Sequence, residues 1–212
     1  MHAAAVFPER IVCLTEETTE TLYLLGEEQR IVGISGFTVR PPRARREKPK
    51  VSAFTSAKID KIIALKPDLV LGFSDLQADI GAALVRAGIE VHIFNQRSVA
   101  EIFRMIGTLG GMIGCAAKTA RLIERLSGEL DDVRAIGARL QRRPRVYFEE
   151  WDEPQIAGIR WVSELIDIAG GQDCFPELAR EPLGRNRIIA DPQEVVRRAP
   201  AGAPSPPCAA VT

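Results

Sequence analysis

Residues 58–73 read KIDKIIALKPDLVLGF, and this stretch decides the fold. Ile59–Leu65 reads as a short helix. Proline lacks an N–H and pushes the residue before it out of the helical region, so Lys66–Pro67 stops that helix. Leu69–Phe73 (LVLGF) is apolar without interruption, the pattern of a strand covered on both faces, as in a parallel sheet. A helix, a stop and a buried strand in so short a run form the second half of a βαβ unit.

The same alternation extends on both sides. Arg10–Leu14 (RIVCL) reads as a strand, Thr15 to Thr18 offer cap-type side chains, and Glu20–Gly26 continues as a helix closed by glycine. Ile31–Ser35 is the next strand. The loop TVRPPRARREKPK, residues 38–50, is rich in proline and basic residues. Leu76–Ala87 is an amphipathic helix ending at Gly88, and Glu90–Phe94 a further strand. Four strands with their helices make one α/β lobe over residues 10–98.

A helical region follows over residues 99–143. Apolar residues recur at three- and four-residue spacing from Val99 to Leu109 and from Ala116 to Leu140, with Gly110, Gly111 and Gly114 between. The second helix would run on the order of 35 Å at 1.5 Å per residue, long enough to join two lobes as a strut. Strand character returns at Arg145–Phe148, followed by an acidic-aromatic turn over Glu149–Asp152, a helix over Trp161–Ala169 and a last helix-like piece over Pro192–Arg198. One strand and two helices are too little for a second core, so residues 144–198 are expected to form a partial second lobe. Residues 199–212, without apolar periodicity, are expected to be disordered.

Lysine plus arginine (28) balances aspartate plus glutamate (28), so no overall field gathers nucleic acid or an anionic membrane. No run reaches the roughly 18–20 apolar residues of a membrane span. The cysteines Cys13, Cys115, Cys174 and Cys208 form no C-x-x-C pair, and the histidines are His2 and His92, so no metal centre is expected. Buried thiols acting as small hydrophobes fit better. The opening MHAAAVFPERIV is too short before its first strand, and too poor in basic and apolar residues, for a signal peptide.

The stretches RIVCLTEETTETLYLLGEEQRIVGISGFTVRPP, KIDKIIALKPDLVLGF and RVYFEEWDEPQIAGIRWVSELIDIAGG resemble, in order and spacing, the cobalamin and iron-siderophore substrate-binding proteins of ABC importers. The resemblance covers nearly all of residues 10–200. It implies an α/β fold of the helical-backbone periplasmic binding protein type: two α/β lobes with central parallel sheets joined by a single long α-helix. The function it implies is capture of a corrinoid between the lobes and delivery to an ABC permease, with an iron-siderophore or haem as alternative ligand. A monomer with no catalytic residue, no cofactor and no nucleic-acid partner is expected, in the periplasm by resemblance. The absent signal peptide leaves the cytoplasm open, and with it a metabolite-binding protein or enzyme on the same lobes. After Pro200 the text departs from the family pattern, which reads as a truncated or frameshifted second lobe.

A flat, partly apolar ligand needs aromatic faces on loops. Phe37, Phe54 and Phe73 stand at or beyond the C-terminal ends of strands, the edge where open α/β sheets bind ligands. Trp151, among carboxylates that keep it accessible, and Arg160 and Trp161 at a helix start are the candidates from the second lobe. Asp60 and Glu194 match positions where the resembling family carries one carboxylate per lobe for arginines of the permease. Each is also explained locally by a helix N-terminus. Glu149 and Glu150, adjacent on a strand end, point to opposite sides and make a poor acid–base pair. Gly110, Gly111 and Gly114 lack the lysine and serine of a phosphate loop. The basic loop Arg40–Lys50 reads as a solvated loop.

Overall fold

The computed structural model describes residues 7–198. The tail expected to be disordered, with Cys208, lies outside the described residues, as does His2. The first part of the chain runs β1 (Ile11–Cys13), α1 (Glu16–Leu24), β2 (Ile31–Ser35), α2 (Ala44–Glu47), β3 (Lys50–Ser52), α3 (Ile59–Ala64), β4 (Leu69–Phe73), α4 (Ala78–Arg86) and β5 (Val91–Phe94). The long helices α5 (Val99–Met112) and α6 (Ala116–Gly137) follow. Then come β6 (Arg145–Val146), β7 (Glu149–Asp152), β8 (Gln155–Ala157), α7 (Arg160–Ile168), β9 (Gln172–Asp173), α8 (Pro176–Ala179) and α9 (Gln193–Arg198).

The chain divides into two compact units. One comprises the chain up to Gln96 together with Phe103–Glu124; the other comprises Arg97–Ile102 and the chain from Arg125 onward. Both long helices contribute to both units, whereas the sequence reading gives them a region of their own. The 22 residues of α6 span about 33 Å without a break.

The first unit is a five-stranded parallel sheet in the order β3-β2-β1-β4-β5. Val12, Leu14 and Val70 from the strands pack with Ile62, Ile80 and Leu84 from the helices. Each such side chain contributes about 1.5–3 kcal/mol on full burial. The deciding stretch works as its residues dictate. Arg10 donates from its guanidinium to the carbonyls of Leu65 (2.6 Å) and Lys66 (3.0 Å), satisfying the end of α3. Asp68, after the proline, accepts the backbone N–H groups of Glu9 (2.8 Å) and Arg10 (2.9 Å), which aligns the entry to β1 beside β4.

Three expectations change here. The sheet has five strands, not four, because β3 is three residues long and hidden at the end of a basic, proline-bearing segment. That segment is not simply solvated: the Arg43 guanidinium lies 4.7 Å from the Tyr23 ring centre and reaches Glu28 at 2.5 Å. Helix α1 starts at Glu16 with Thr15 at its N-cap position, but the Thr15 side chain makes no cap hydrogen bond and the Thr18 hydroxyl turns back to the Thr15 carbonyl at 3.4 Å. Hydroxyls satisfied inside the helix are lost as caps.

Within the same unit α5 seats on α6 through Gly110. A Cβ there would stand 1.9 Å from Thr119 Oγ1, so only glycine lets this pair close. Glu27 fastens the start of α6, accepting from Lys118 Nζ at 2.6 Å and Arg30 Nε at 2.7 Å.

In the second unit β6 pairs with β9 in parallel, and β7 pairs with β8 as an antiparallel hairpin. The acidic-aromatic turn expected at Glu149–Asp152 is therefore a strand; its side chains are mostly exposed, so it carries no apolar alternation to read. The strand expected at Arg145–Phe148 is confined to β6. A small core of Ala157, Cys174, Phe175 and Ile189 lies beneath the hairpin. Where α6 ends, its backbone touches the turn after α7. A Cβ on Gly137 would meet the Ala169 carbonyl carbon at 2.6 Å, and one on Gly170 (φ +83°) would meet the Gly137 oxygen at 2.6 Å. Among the described residues no helix is long and apolar enough to cross a membrane.

Candidate functional site

The C-terminal edge of the parallel sheet is held by one glutamine that sequence reasoning missed. Gln77, 0% exposed, accepts the Phe73 N–H at its Oε1 (3.0 Å) and donates from Nε2 to the carbonyls of Phe54 (2.9 Å) and Leu14 (3.2 Å). It thereby ties together the ends of β1 and β4 and the loop after β3. A polar residue opening a helix just after a buried strand is the signal that could have marked it.

On this edge Phe37 is 60% exposed. Its backbone is fixed, since its N–H donates to Ser35 Oγ (3.2 Å) and Arg45 holds the flanking carbonyls of Gly36 (2.5 Å) and Thr38 (2.8 Å). Phe54 is half-buried, with its carbonyl on Gln77. Phe73 is different: it is 7% exposed and closes a strand buried along its whole length, so its ring serves the unit's interior and not its surface. Its position in an unbroken apolar run was the stronger signal.

Sequence reasoning also passed over a polar contact made in the first turn of α1. Glu17, in the first turn of α1, accepts from Gln96 Nε2 at 3.1 Å. Burial pushes the Glu17 carboxyl above its usual range, while hydrogen bonds to it pull the other way. The next residue toward β1, Glu16, accepts the Val39 N–H at 2.8 Å.

In the second unit Trp151 is 60% exposed on the hairpin, its Nε1–H donating to the Glu153 carbonyl (3.0 Å). The hairpin is pinned from below by Arg187, which donates to both oxygens of Glu150 and to the Ala157 carbonyl. Arg160 is exposed but engaged: its Nε donates to Glu164 Oε1 at 2.8 Å, and the other oxygen of Glu164 accepts the Val99 N–H at 2.7 Å. Trp161 is half-buried at the start of α7. A groove of about 610 Å³ in this unit is lined by Val99, Ser163, Glu164, Asp167, Gly171 and Pro176 among others, and none of Trp151, Arg160 and Trp161 lines it. Two of its charged residues pair with each other, Arg143 with Asp167 at 2.5 Å.

Asp60 is exposed in the first turn of α3. Glu194 lies in α9 and pairs with Arg197 Nε at 3.1 Å, while Arg197 also reaches Asp191 at 2.5 Å. Among the described residues no group of three or more histidine, cysteine or carboxylate side chains is arranged to hold a metal ion. Cys13 and Cys174 are buried, and burial raises the Cys13 thiol to about 12, which removes it from thiolate chemistry at neutral pH.

Two α/β units share both long helices, and each leaves a large aromatic ring open to solvent, Phe37 in one and Trp151 in the other. The chain belongs to the periplasmic binding protein family, which it matches over residues 11–201. It is 27% identical over 204 residues to the cobalamin-binding protein of Halobacterium salinarum, covering 89% of this chain and 53% of that one. It is 25% identical to the vitamin B12-binding protein of Vibrio parahaemolyticus, with 81% of this chain and 62% of that one covered. The chain thus spans roughly half to two thirds of these relatives. Two solved structures share the fold. The periplasmic vitamin B12 binding protein of Vibrio cholerae superposes with TM-score 0.72 at 22% identity, over 91% of this chain and 74% of that one. The periplasmic haem-binding protein of Roseiflexus sp. RS-1 gives 0.76 at 23%, over 90% and 73%. These relatives are binding proteins, not enzymes.

Proposed function

We propose that this chain is a substrate-binding component of an ABC importer whose ligand is a corrinoid of the cobalamin type, held without covalent chemistry. The observation that carries this reading is the exposure of Phe37 and Trp151, each 60% open, the first on a loop whose backbone is pinned by a hydrogen bond and the second on strand β7 with its indole N–H held by the Glu153 carbonyl. Rings presented in a fixed pose lose little freedom on meeting a flat ligand, so more of their contact area becomes affinity. The relatives named for cobalamin and vitamin B12 support the choice of ligand over an iron-siderophore or haem. In this reading Phe54 adds a further face, Trp161 and Arg160 border the second unit's contribution, and no residue acts as a catalyst. Asp60 and Glu194 would meet arginines of the permease, outside the cytoplasm.

The test is direct binding. Purified protein is mixed with cyanocobalamin, haemin or a ferric siderophore and separated by gel filtration, with visible absorbance followed across the protein peak. Co-elution of the corrin colour, with Trp151 fluorescence quenched, is expected. Co-elution of haemin or the ferric chelate in its place overturns the corrinoid assignment.

A further inference from the structure

The last turns of α6 carry an apolar row that the second unit leaves open. Ile136 is 65% exposed, and Val133 and Leu140 to either side of it are exposed too. The helical turn runs on past Gly137, with the Arg139 N–H donating to the Ile136 carbonyl and the Leu140 N–H to that of Gly137, so all three lie on one helical surface. At about 3.6 residues per turn, the positions three before and four after Ile136 fall on one flank of it, and those four before and three after fall on the other. The first flank holds Val133 and Leu140. The second holds Asp132 and Arg139, both exposed, and neither makes a hydrogen bond or ion pair among the described residues. Neighbouring charges are paired within the helix: Arg125 with Glu129 at 2.6 Å, further back along the same side, and Arg134 with Asp131 on the far side.

Turned about a twofold axis that crosses the helix at Ile136, this surface matches itself. An antiparallel copy brings Ile136 onto Ile136 and Val133 onto Leu140, and sets Asp132 opposite Arg139, their levels differing by the rise of one residue, about 1.5 Å. The axis keeps each flank on its own side, so apolar meets apolar and charge meets opposite charge, twice over. A parallel copy would set Asp132 on Asp132 and Arg139 on Arg139. The signs on this flank thus select one occupant and one direction.

We propose that the end of α6 is a self-association surface, on which a second copy of this chain docks antiparallel through Val133, Ile136 and Leu140, with two reciprocal Asp132–Arg139 pairs setting the register. The inference is independent of the ligand and replaces the monomer expected from the sequence. Two turns of helix make a small contact, so the dimer is a weak one, populated at high local concentration and loosened by salt.

Sedimentation velocity on the full chain, from about 5 to about 500 µM, follows the wild type and the Ile136→Asp, Asp132→Arg and Arg139→Asp variants. The wild type should dimerise within this range, and each variant alone should associate at least about tenfold more weakly. Mixed in equal amounts, Asp132→Arg and Arg139→Asp should associate to within about threefold of the wild type, because each of the two pairs then joins opposite signs again. A generic apolar contact, or a variant that fails to fold, cannot give that rescue. A wild type monomeric throughout overturns the proposal, whether hydrogen exchange finds residues 133–140 open or protected, the protected case pointing to cover from elsewhere in the same chain. Dimers unmoved by the variants, or a mixture that stays monomeric, overturn it as well.

Discussion

Arg187 and Glu150 form a two-pronged ion pair, with Nη2 at 2.6 and 2.7 Å from the two carboxylate oxygens, and Arg187 is only 2% exposed. The remaining guanidinium donors reach the carbonyls of Ala157 (3.1 Å) and Glu181 (3.3 Å). A buried guanidinium is tolerable only when its donors are all placed, and one side chain therefore joins the Trp151 hairpin to the chain that runs on to α9.

Glu150→Gln should destabilise the protein by about 2 kcal/mol, because it leaves a buried charge short of its counterion while the carboxylate it replaces was partly solvated. Urea unfolding followed by tryptophan fluorescence checks this, and an unmoved midpoint would contradict it. Glu149 accepts from the Tyr147 hydroxyl and the Gln155 amide and makes no ion pair among the described residues, so Glu149→Gln should change stability less.

Gln77→Leu removes three hydrogen bonds at once and strands the N–H of Phe73 and the carbonyls of Phe54 and Leu14. A loss of about 2–4 kcal/mol is expected, with a weakened grip on the ligand from the loosened Phe54 loop. Circular dichroism melts combined with ligand titration at a temperature where the variant is folded separate the two effects. Full stability would show that the amide is dispensable.

Neighbouring glycines in α5 should respond with opposite signs. Gly110→Ala drives a methyl into Thr119 and is expected to cost about 1–3 kcal/mol. Nothing lies within 4 Å of a Cβ on Gly111, so Gly111→Ala should stabilise by about 0.5–1 kcal/mol through helix propensity. Equal effects in thermal melts would refute the packing of α5 on α6.

Glu27 gives the protein an acid limb. Burial alone would raise its pKa, but hydrogen bonds from Lys118 and Arg30 outweigh it and hold the carboxyl at about 2, below its ordinary 4.5. A depressed carboxyl contributes stability that is complete above the unfolded pKa and lost as pH falls through the folded one, so the loss runs from about pH 4.5 down to about 2. Glu27→Gln should be less stable than wild type at pH 7, and the gap should narrow across that window. Parallel curves of urea midpoint against pH would rule the linkage out.

The continuous apolar runs were readable because burial on both faces removes all ambiguity of period: β2 and β4 occupy Ile31–Ser35 and Leu69–Phe73 as expected. The β7–β8 hairpin was not readable, since its strands are short and largely solvent-facing, and Glu150 meets its partner 37 residues later. Among the candidate aromatic rings, the exposure of Phe37 could be read from its position after a strand. Phe73 could not, because a residue ending a strand can close the core or open to solvent, and only the packing of that edge decides. Glu17, Gln77 and Gln96 are polar residues whose roles depend on which strand ends become neighbours, which no local pattern encodes.

Gly137 and Gly170 meet main chain to main chain, with no room for even a methyl on either side. Any amino acid other than glycine at one of these positions would have to displace the peptide of the other. The two codons are therefore bound to each other in inheritance, and drift that the surrounding surface absorbs freely stops at this pair.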